Sequence, residues 1–496
     1  MAMGKVLAGV AAAVVLYSAS IAPCAALAVL STSPTSNATN VARAGSVAIT
    51  FDRAVIPASV TSANLRIWGR SSGPIAVTPQ WSAGNTVLTL VHPTAFFPGE
   101  RISLQLGKSI QASDATTLRN AGYSFQFTVA APQASMQFTL IDTVSVRTNG
   151  NTARLYGGAV VDLNRDGWID YVAINEVSAD LRVLLNRADG SGLLGPVLLP
   201  PRAIGQEASP HQTADFDNDG FMDMATANTS SNTVSVVLGN GDGTFDPQQS
   251  IGVGTTPHGI AALDIDGDAD LDLVNANQSS NSLTKMVNNG AGVFGSSVSF
   301  DSGGDGEYAL ASGDMDNDGI MDLVAGTRND QQVHVLKGNG DGTFTHVSNR
   351  SGLGYAWMIA LGDLNGDGRL DVAMANGQQN NGAVLLGNGN GTLQAAVNYP
   401  FNGSMVGTDL GDLDGDGDLD WVVSSYGASR WYVLRNNGAG GFMPITELPA
   451  PSNGSCASLY DFDNDGDLDM ALADETADVI LLYRNGTPVL FSNGFE

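Results

Sequence analysis

The chain has 496 residues, two cysteines and a net charge of −28, and its apolar content of 43% is enough for a sizeable core. With only 22 Lys and Arg and no long basic run, it lacks the cationic surface that a nucleic-acid partner needs. More than half of its 50 acidic residues fall within seven nonapeptides, so the acidity is local.

Residues 1–28 read as a secretory signal peptide: Lys5, an apolar run over 6–17, then small residues ending Ala26-Leu27-Ala28. The run is short for a bilayer span and no later segment is longer. The expected location is therefore secreted or at the bacterial cell surface, with no membrane span in the mature chain. Cys24 follows Pro23, which fits a lipoprotein site poorly. Removal of the leader leaves Cys456 and no internal disulfide, so another staple is needed, and bound metal can be one.

Residues 30–131 contain SVAITF (46–51), NTVLTLV (85–91), RISLQL (101–106) and YSFQFTV (123–129). Their alternation predicts half-buried strands of a β-sandwich. The pattern resembles bacterial Ig-like domains. A G-x-S-x-G match at 69–73 lacks the strand–turn–helix setting of a nucleophile elbow. AAPQAS (130–135) reads as a linker.

From residue 136 to 487 the chain is a repeat. Nonapeptides begin at Asp162, Asp215, Asp264, Asp314, Asp363, Asp412 and Asp461, spaced 53, 49, 50, 49, 49 and 49 residues apart. Acidic or amide residues stand at positions 1, 3, 5 and 9, with Gly at position 6 in all copies but the third. Alternate carboxylates aim at one point, as a hard cation with oxygen ligands requires. An EF-hand is excluded, because position 12 is never acidic and the flanks are short and β-like. Each unit of about 49 residues reads as four short strands with the loop after the first, which is one propeller blade. Residues 136–146 resemble a fourth strand that completes the final blade. A tail, 488–496, follows.

NGDGTF at 240–245 and 339–344 and NGNGTL at 388–393, alternating with the nonapeptides, resemble FG-GAP/VCBS repeats of integrin-α-like propellers. The resemblance implies an all-β chain: a seven-bladed β-propeller with calcium-binding loops, preceded by an Ig-like β-sandwich. It places each calcium loop between the innermost and second strands, and a ligand on the opposite face.

The expected calcium ligands, up to seven sites, are these, position 7 contributing its carbonyl: Asp162, Asn164, Asp166, Trp168 and Asp170; Asp215, Asp217, Asp219, Phe221 and Asp223; Asp264, Asp266, Asp268, Asp270 and Asp272; Asp314, Asp316, Asp318, Ile320 and Asp322; Asp363, Asn365, Asp367, Arg369 and Asp371; Asp412, Asp414, Asp416, Asp418 and Asp420; Asp461, Asp463, Asp465, Asp467 and Asp469. Ala269, at position 6 of the third loop, predicts weaker binding there, since a side chain in a left-handed turn costs on the order of 1 kcal/mol. Asn164 and Arg165 lower the charge of the first loop. At millimolar calcium each site would add roughly 0.5–1.5 kcal/mol of stability, a mainly structural role.

Six residues before each loop stand Tyr156, Ser209, His258, Tyr308, Trp357, Val406 and Ser455. Tyr156, His258, Tyr308 and Trp357 are expected to ring the channel mouth, where aromatic faces beside amide-rich turns suit a sugar or a polar peptide; side chains that merely fill the channel are the alternative. The sequence thus suggests a calcium-binding adhesion or recognition module for a glycan or an extracellular protein, with no enzyme activity: the five histidines form no HExxH motif. A polysaccharide-directed hydrolase or lyase, or a purely structural envelope component, are the alternatives.

Overall fold

A computed structural model describes residues 25–486. Most of the expected leader and the 488–496 tail lie outside the described residues.

The N-terminal unit is a sandwich of two four-stranded sheets. One pairs Val29–Ser33, Val47–Phe51, Val87–Val91 and Thr78–Ser82; the other pairs Gly73–Pro74, Leu65–Gly69, Arg101–Leu106 and Tyr123–Thr128. The alternation in SVAITF is realised: Val47, Ile49 and Phe51 are buried, and the residues between them are not. They pack with Leu88, Leu104, Phe125 and Phe127. Leu27 joins this core, and its amide donates to the Thr117 carbonyl at 2.8 Å. Among the described residues the sandwich core thus includes Leu27, just before the expected boundary at 28.

The remainder forms seven four-stranded antiparallel sheets. Their first strands are Leu155–Val161, Ala208–Ala214, Pro257–Leu263, Glu307–Gly313, Tyr355–Gly362, Met405–Gly411 and Gly454–Tyr460. Each touches the first strand of the next sheet, and the last touches the first, so they line a central channel. Close approach demands small residues there: a Cβ on Gly259 would lie 2.5 Å from the Leu310 nitrogen in the next blade. Second strands such as Asp170–Asn175 and Asp223–Asn228 are buried throughout, because blades cover both of their faces. Outer strands such as Val298–Phe300 are largely exposed.

The last blade is composite. Its strands are Gly454–Tyr460, Asp469–Asp474 and Val479–Arg484, and its outer strand is Thr139–Ser145 from the start of the repeat region. The closure expected of 136–146 is thus present. It removes one open sheet edge and joins the two ends of the ring. Tyr460, Phe462, Ile480 and Leu482 of the last blade pack with Leu155, Tyr171 and Leu184 of the first.

The sandwich sits on the propeller face that carries the nonapeptide loops. Main-chain hydrogen bonds run from Asp162 to Ser71 (2.9 Å), Lys108 to Gly267 (2.7 Å) and Ser124 to Gly319 (2.8 Å). The 130–135 segment is no free tether. The Ala134 amide donates to the Asp414 carbonyl at 3.0 Å, and Ala131 and Met136 are buried against the last two blades. The 69–73 stretch is a hairpin tip in this interface, with no helix after it; its central Ser71 carbonyl accepts the Asp162 amide, and the neighbouring Ser72 hydroxyl donates to Glu100 at 2.9 Å.

Candidate metal centres

The seven loops share one hydrogen-bond scheme. The position-1 carboxylate accepts the position-6 amide, as from Gly220 to Asp215 (3.0 Å) and Gly319 to Asp314 (2.7 Å). The position-5 carboxylate accepts the position-7 amide, as from Ile320 to Asp318 (2.8 Å). The turn needs left-handed backbone at two places. Position 6 is one, with φ 93° at Gly220; position 4 is the other, with φ 63° at Asn218. Sequence reasoning found only the first, although Asn or Gly recurs at position 4 in every copy but the first, where Arg165 has φ 57°. Ala269 holds the left-handed conformation expected of it, at φ 76°.

Five loops gather carboxylate oxygens within 4.8 Å of one another: Asp215, Asp217 and Asp223; Asp264, Asp266 and Asp268; Asp314, Asp316 and Asp322; Asp412, Asp414 and Asp420; Asp461, Asp463 and Asp465. In the first and fifth loops Asn164 and Asn365 stand at position 3, and each amide donates to the carboxylate at position 5, Asp166 and Asp367. Two position-1 oxygens, Asp215 Oδ1 and Asp461 Oδ1, are buried without a hydrogen-bond donor. Burial first, and neighbouring carboxylates next, push Asp215 up to about 6 and Asp461 to about 7. Orphaned oxygens in an all-oxygen cluster of raised pKa fit a hard divalent cation.

The position-9 carboxylates have a second role that spacing does not reveal. Asp223 accepts the Phe216 amide at 2.7 Å and the Gly239 amide at 2.8 Å. Asp322 does the same with Met315 and Gly338. Position 9 thus ties the start of its loop to the turn after the blade's third strand.

Fixed cations already approach some loops. Lys337 bridges Asp316 and Asp318 of the fourth loop, Arg435 reaches Asp414 at 2.5 Å and Arg484 reaches Asp463 at 2.6 Å. The corresponding residues of other blades are aliphatic: Leu185, Leu238, Val287 and Leu386. The sandwich adds Arg66, 3.2 Å from Asp270, and Lys108, 3.5 Å from the Asp266 carboxylate, at the third loop.

At the other end of the channel Tyr156, His258, Tyr308 and Trp357 do meet, but as a plug rather than an open ring. His258 stacks on Tyr308 with centroids 3.7 Å apart, and Trp357 Nε1 donates to the Tyr156 hydroxyl at 3.2 Å. Tyr156, His258 and Tyr308 are at most 6% exposed. Burial lowers the His258 pKa to about 3, so the imidazole is uncharged at neutral pH. Above the plug Arg328 lies over Tyr308, Tyr355 and Trp357, and Arg154 joins Glu176 (3.1 Å) and Glu475 (2.7 Å). Glu176, Arg328 and Glu475 follow second strands, where sequence reasoning saw only polar turns, while Arg154 stands just before the first strand of the first blade.

A ring of seven four-stranded sheets with acidic loops on one face defines a β-propeller. The chain belongs to the FG-GAP-like repeat family: six overlapping matches cover residues 162–226, 215–275, 264–325, 314–374, 363–423 and 412–472. Residues 24–129 match a bacterial Ig-like domain. No curated protein sequence matches the chain. Similar solved structures include BBS1N in complex with ARL6DN, at 12% identity over 71% of this chain and 97% of that chain, with a TM-score of 0.48. A protein from Lactobacillus plantarum matches at 13% identity over 79% and 98%, with a TM-score of 0.47. A catalytically inactive virginiamycin B lyase from Staphylococcus aureus matches at 13% identity over 70% and 99%, with a TM-score of 0.46. Such remote likenesses carry no argument about function. No helix among the described residues is long and apolar enough to cross a membrane.

Proposed function

We propose that the chain is a calcium-stabilised recognition module of the cell surface or the secreted fraction, and not an enzyme. The convergence of three carboxylates in each of five loops carries the calcium reading. Divalent ions would relieve the repulsion within each cluster and brace the interface with the sandwich, which rests on those loops. In the first and fifth loops the amide oxygens of Asn164 and Asn365 would have to serve beside fewer carboxylates.

The sandwich covers the loop face and leaves the plugged face free for a ligand. There the contacts would come from Trp357, Arg328, Tyr426 and Glu176 above the plug, with the buried Tyr156, His258, Tyr308, Tyr355 and Glu475 supporting them from below. Aromatic faces beside hydrogen-bonding carboxylates and guanidinium groups suit a glycan or a polar peptide of an extracellular protein. Two measurements test the reading. Calcium should raise the melting temperature and EDTA reverse it; indifference to both sinks the metal assignment. A glycan and extracellular-protein array probed with wild type and Trp357→Ala should give hits that the variant loses; hits that the variant keeps move the ligand off this face.

A further inference from the structure

The fourth blade carries two of the five histidines, and neither belongs to the repeat. His334 lies in the third strand, Gln332–Gly338, and His346 in the fourth, Phe344–Ser351. Where His334 stands, twelve residues after the last Asp of the loop, the second, third and fifth blades have Ser235, Thr284 and Ala383. Where His346 stands, those blades have Pro247, Ser296 and Ala395.

Strand pairing sets the two rings on one face. His346 is opposite Leu336, two residues along from His334, a diagonal that long side chains can bridge. His334 Nδ1 and His346 Nε2 are 3.2 Å apart. The turn over 301–306 covers the pair: a Cβ on Gly304 would lie 2.9 Å from His334 Nε2, and one on Gly303 would lie 3.3 Å from the His346 ring. Glycine at both positions leaves the room that the rings occupy.

His334 is only 1% exposed, whereas His346 is exposed and opens the pair to solvent. The other nitrogen of His334, Nε2, faces the Asp330 carboxylate at 3.4 Å but makes no aligned hydrogen bond among the described residues. Asp330 is itself held by the Thr327 hydroxyl. A carboxylate in that place keeps the proton on Nε2 and leaves the Nδ1 lone pair directed at His346. Burial holds the His334 pKa below its ordinary value, against the pull of Asp330, so the ring is uncharged at neutral pH, as a ligand must be. Two nitrogens bound to one tetrahedral zinc at about 2.0–2.1 Å stand about 3.3–3.4 Å apart, close to the separation found.

We propose that His334 and His346 bind a borderline divalent transition-metal ion, zinc or copper, through Nδ1 and Nε2 respectively, with Asp330 orienting the buried ring and water completing the coordination. Imidazole nitrogens select such ions, whereas calcium takes oxygen. The ion would clip the outer strand of the blade to its neighbour. No carboxylate of the nonapeptide loops takes part, so the site stands or falls apart from the calcium reading.

The test uses the full chain without a histidine tag, in excess calcium so that the acidic loops are filled, titrated calorimetrically with zinc and, separately, with copper(II). One ion per chain is expected, copper binding the tighter, as nitrogen ligands require. His346→Ala, at an exposed position, should lose the site, and Asp330→Asn should weaken it about tenfold. In the NMR spectrum zinc should move the ring signals of His334 and His346 and leave those of His92, whose two nitrogens meet the Thr94 and Gly45 carbonyls. The electron paramagnetic resonance of bound copper should show coupling to two nitrogens. No uptake of either ion, uptake that His346→Ala retains, or unmoved His334 and His346 signals would each overturn the proposal and leave the rings hydrogen-bonded to each other.

Discussion

Asp478, in the last blade, accepts a hydrogen bond from the Arg147 guanidinium at 2.8 Å, and Arg147 lies just beyond the N-terminal strand that completes that blade. The same carboxylate accepts the amides of Ala153 (3.1 Å) and Leu155 (3.3 Å), where the first blade begins. One fully buried side chain therefore fastens both chain segments that close the ring.

Asp478→Ala should leave these buried donors without an acceptor and destabilise the propeller by about 2–4 kcal/mol. Asp478→Asn keeps the shape and tolerates the left-handed backbone there (φ 57°), so it should cost about half as much. Urea unfolding in calcium gives both values. A loss below 1 kcal/mol for the alanine variant, by the same scale, would show that strand pairing alone closes the ring.

Ala269→Gly tests the third loop. Glycine would relieve roughly 1–2 kcal/mol of left-handed strain, but the Ala269 methyl is only 1% exposed, and losing its burial costs about 0.8 kcal/mol, with glycine's backbone entropy adding about 0.5–1. The opposing effects nearly cancel, so a stability change within about 0.5 kcal/mol is expected, and Ala269 does not by itself weaken this loop. A gain above about 1 kcal/mol in thermal unfolding would restore the simpler expectation from sequence.

Lys337→Leu tests the fixed cations. The ammonium lies between Asp316 and Asp318, 2.6 Å from the latter, and occupies carboxylates that calcium would use. It is about a third exposed, so its screening by water limits the effect to about 1 kcal/mol, or a five- to tenfold rise in calcium affinity at the fourth loop. Isothermal titration of the variant against wild type should resolve one tightened site. Unchanged affinities would mean that Lys337 swings clear when the ion binds.

Much of this was legible because the repeat is redundant. Seven copies at a near-constant period fix strand order, loop position and the carboxylate cluster without any long-range inference. Residues that act once were not legible. Arg66 and Lys108 read as ordinary polar positions of a sandwich, because their roles arise only when that sandwich docks on a loop far along the chain, at Asp266 and Asp270. Position 4 is intermediate: its Asn and Gly pattern was visible, but only the backbone angles explain it. Leu27 was not legible either: it stands within the expected leader, yet its side chain packs in the sandwich core.

In the unfolded chain an aspartate titrates near 3.9. In the folded loops burial raises Asp264 and Asp314 to about 7 and Asp223 and Asp322 to about 8. Without calcium the folded state then binds more protons than the unfolded state across this window, so stability is greatest below the unfolded pKa and is lost as pH rises through the folded values. In EDTA the melting temperature should fall between about pH 5 and pH 8. Calcium displaces those protons, so the decline should vanish in its presence and the calcium-induced rise should grow with pH. The comparison needs only melting curves in EDTA and in calcium across that range. A melting temperature in EDTA that is flat or climbs with pH would mean that the clusters are charged and at ease without an ion, and the structural role of calcium would fall with it.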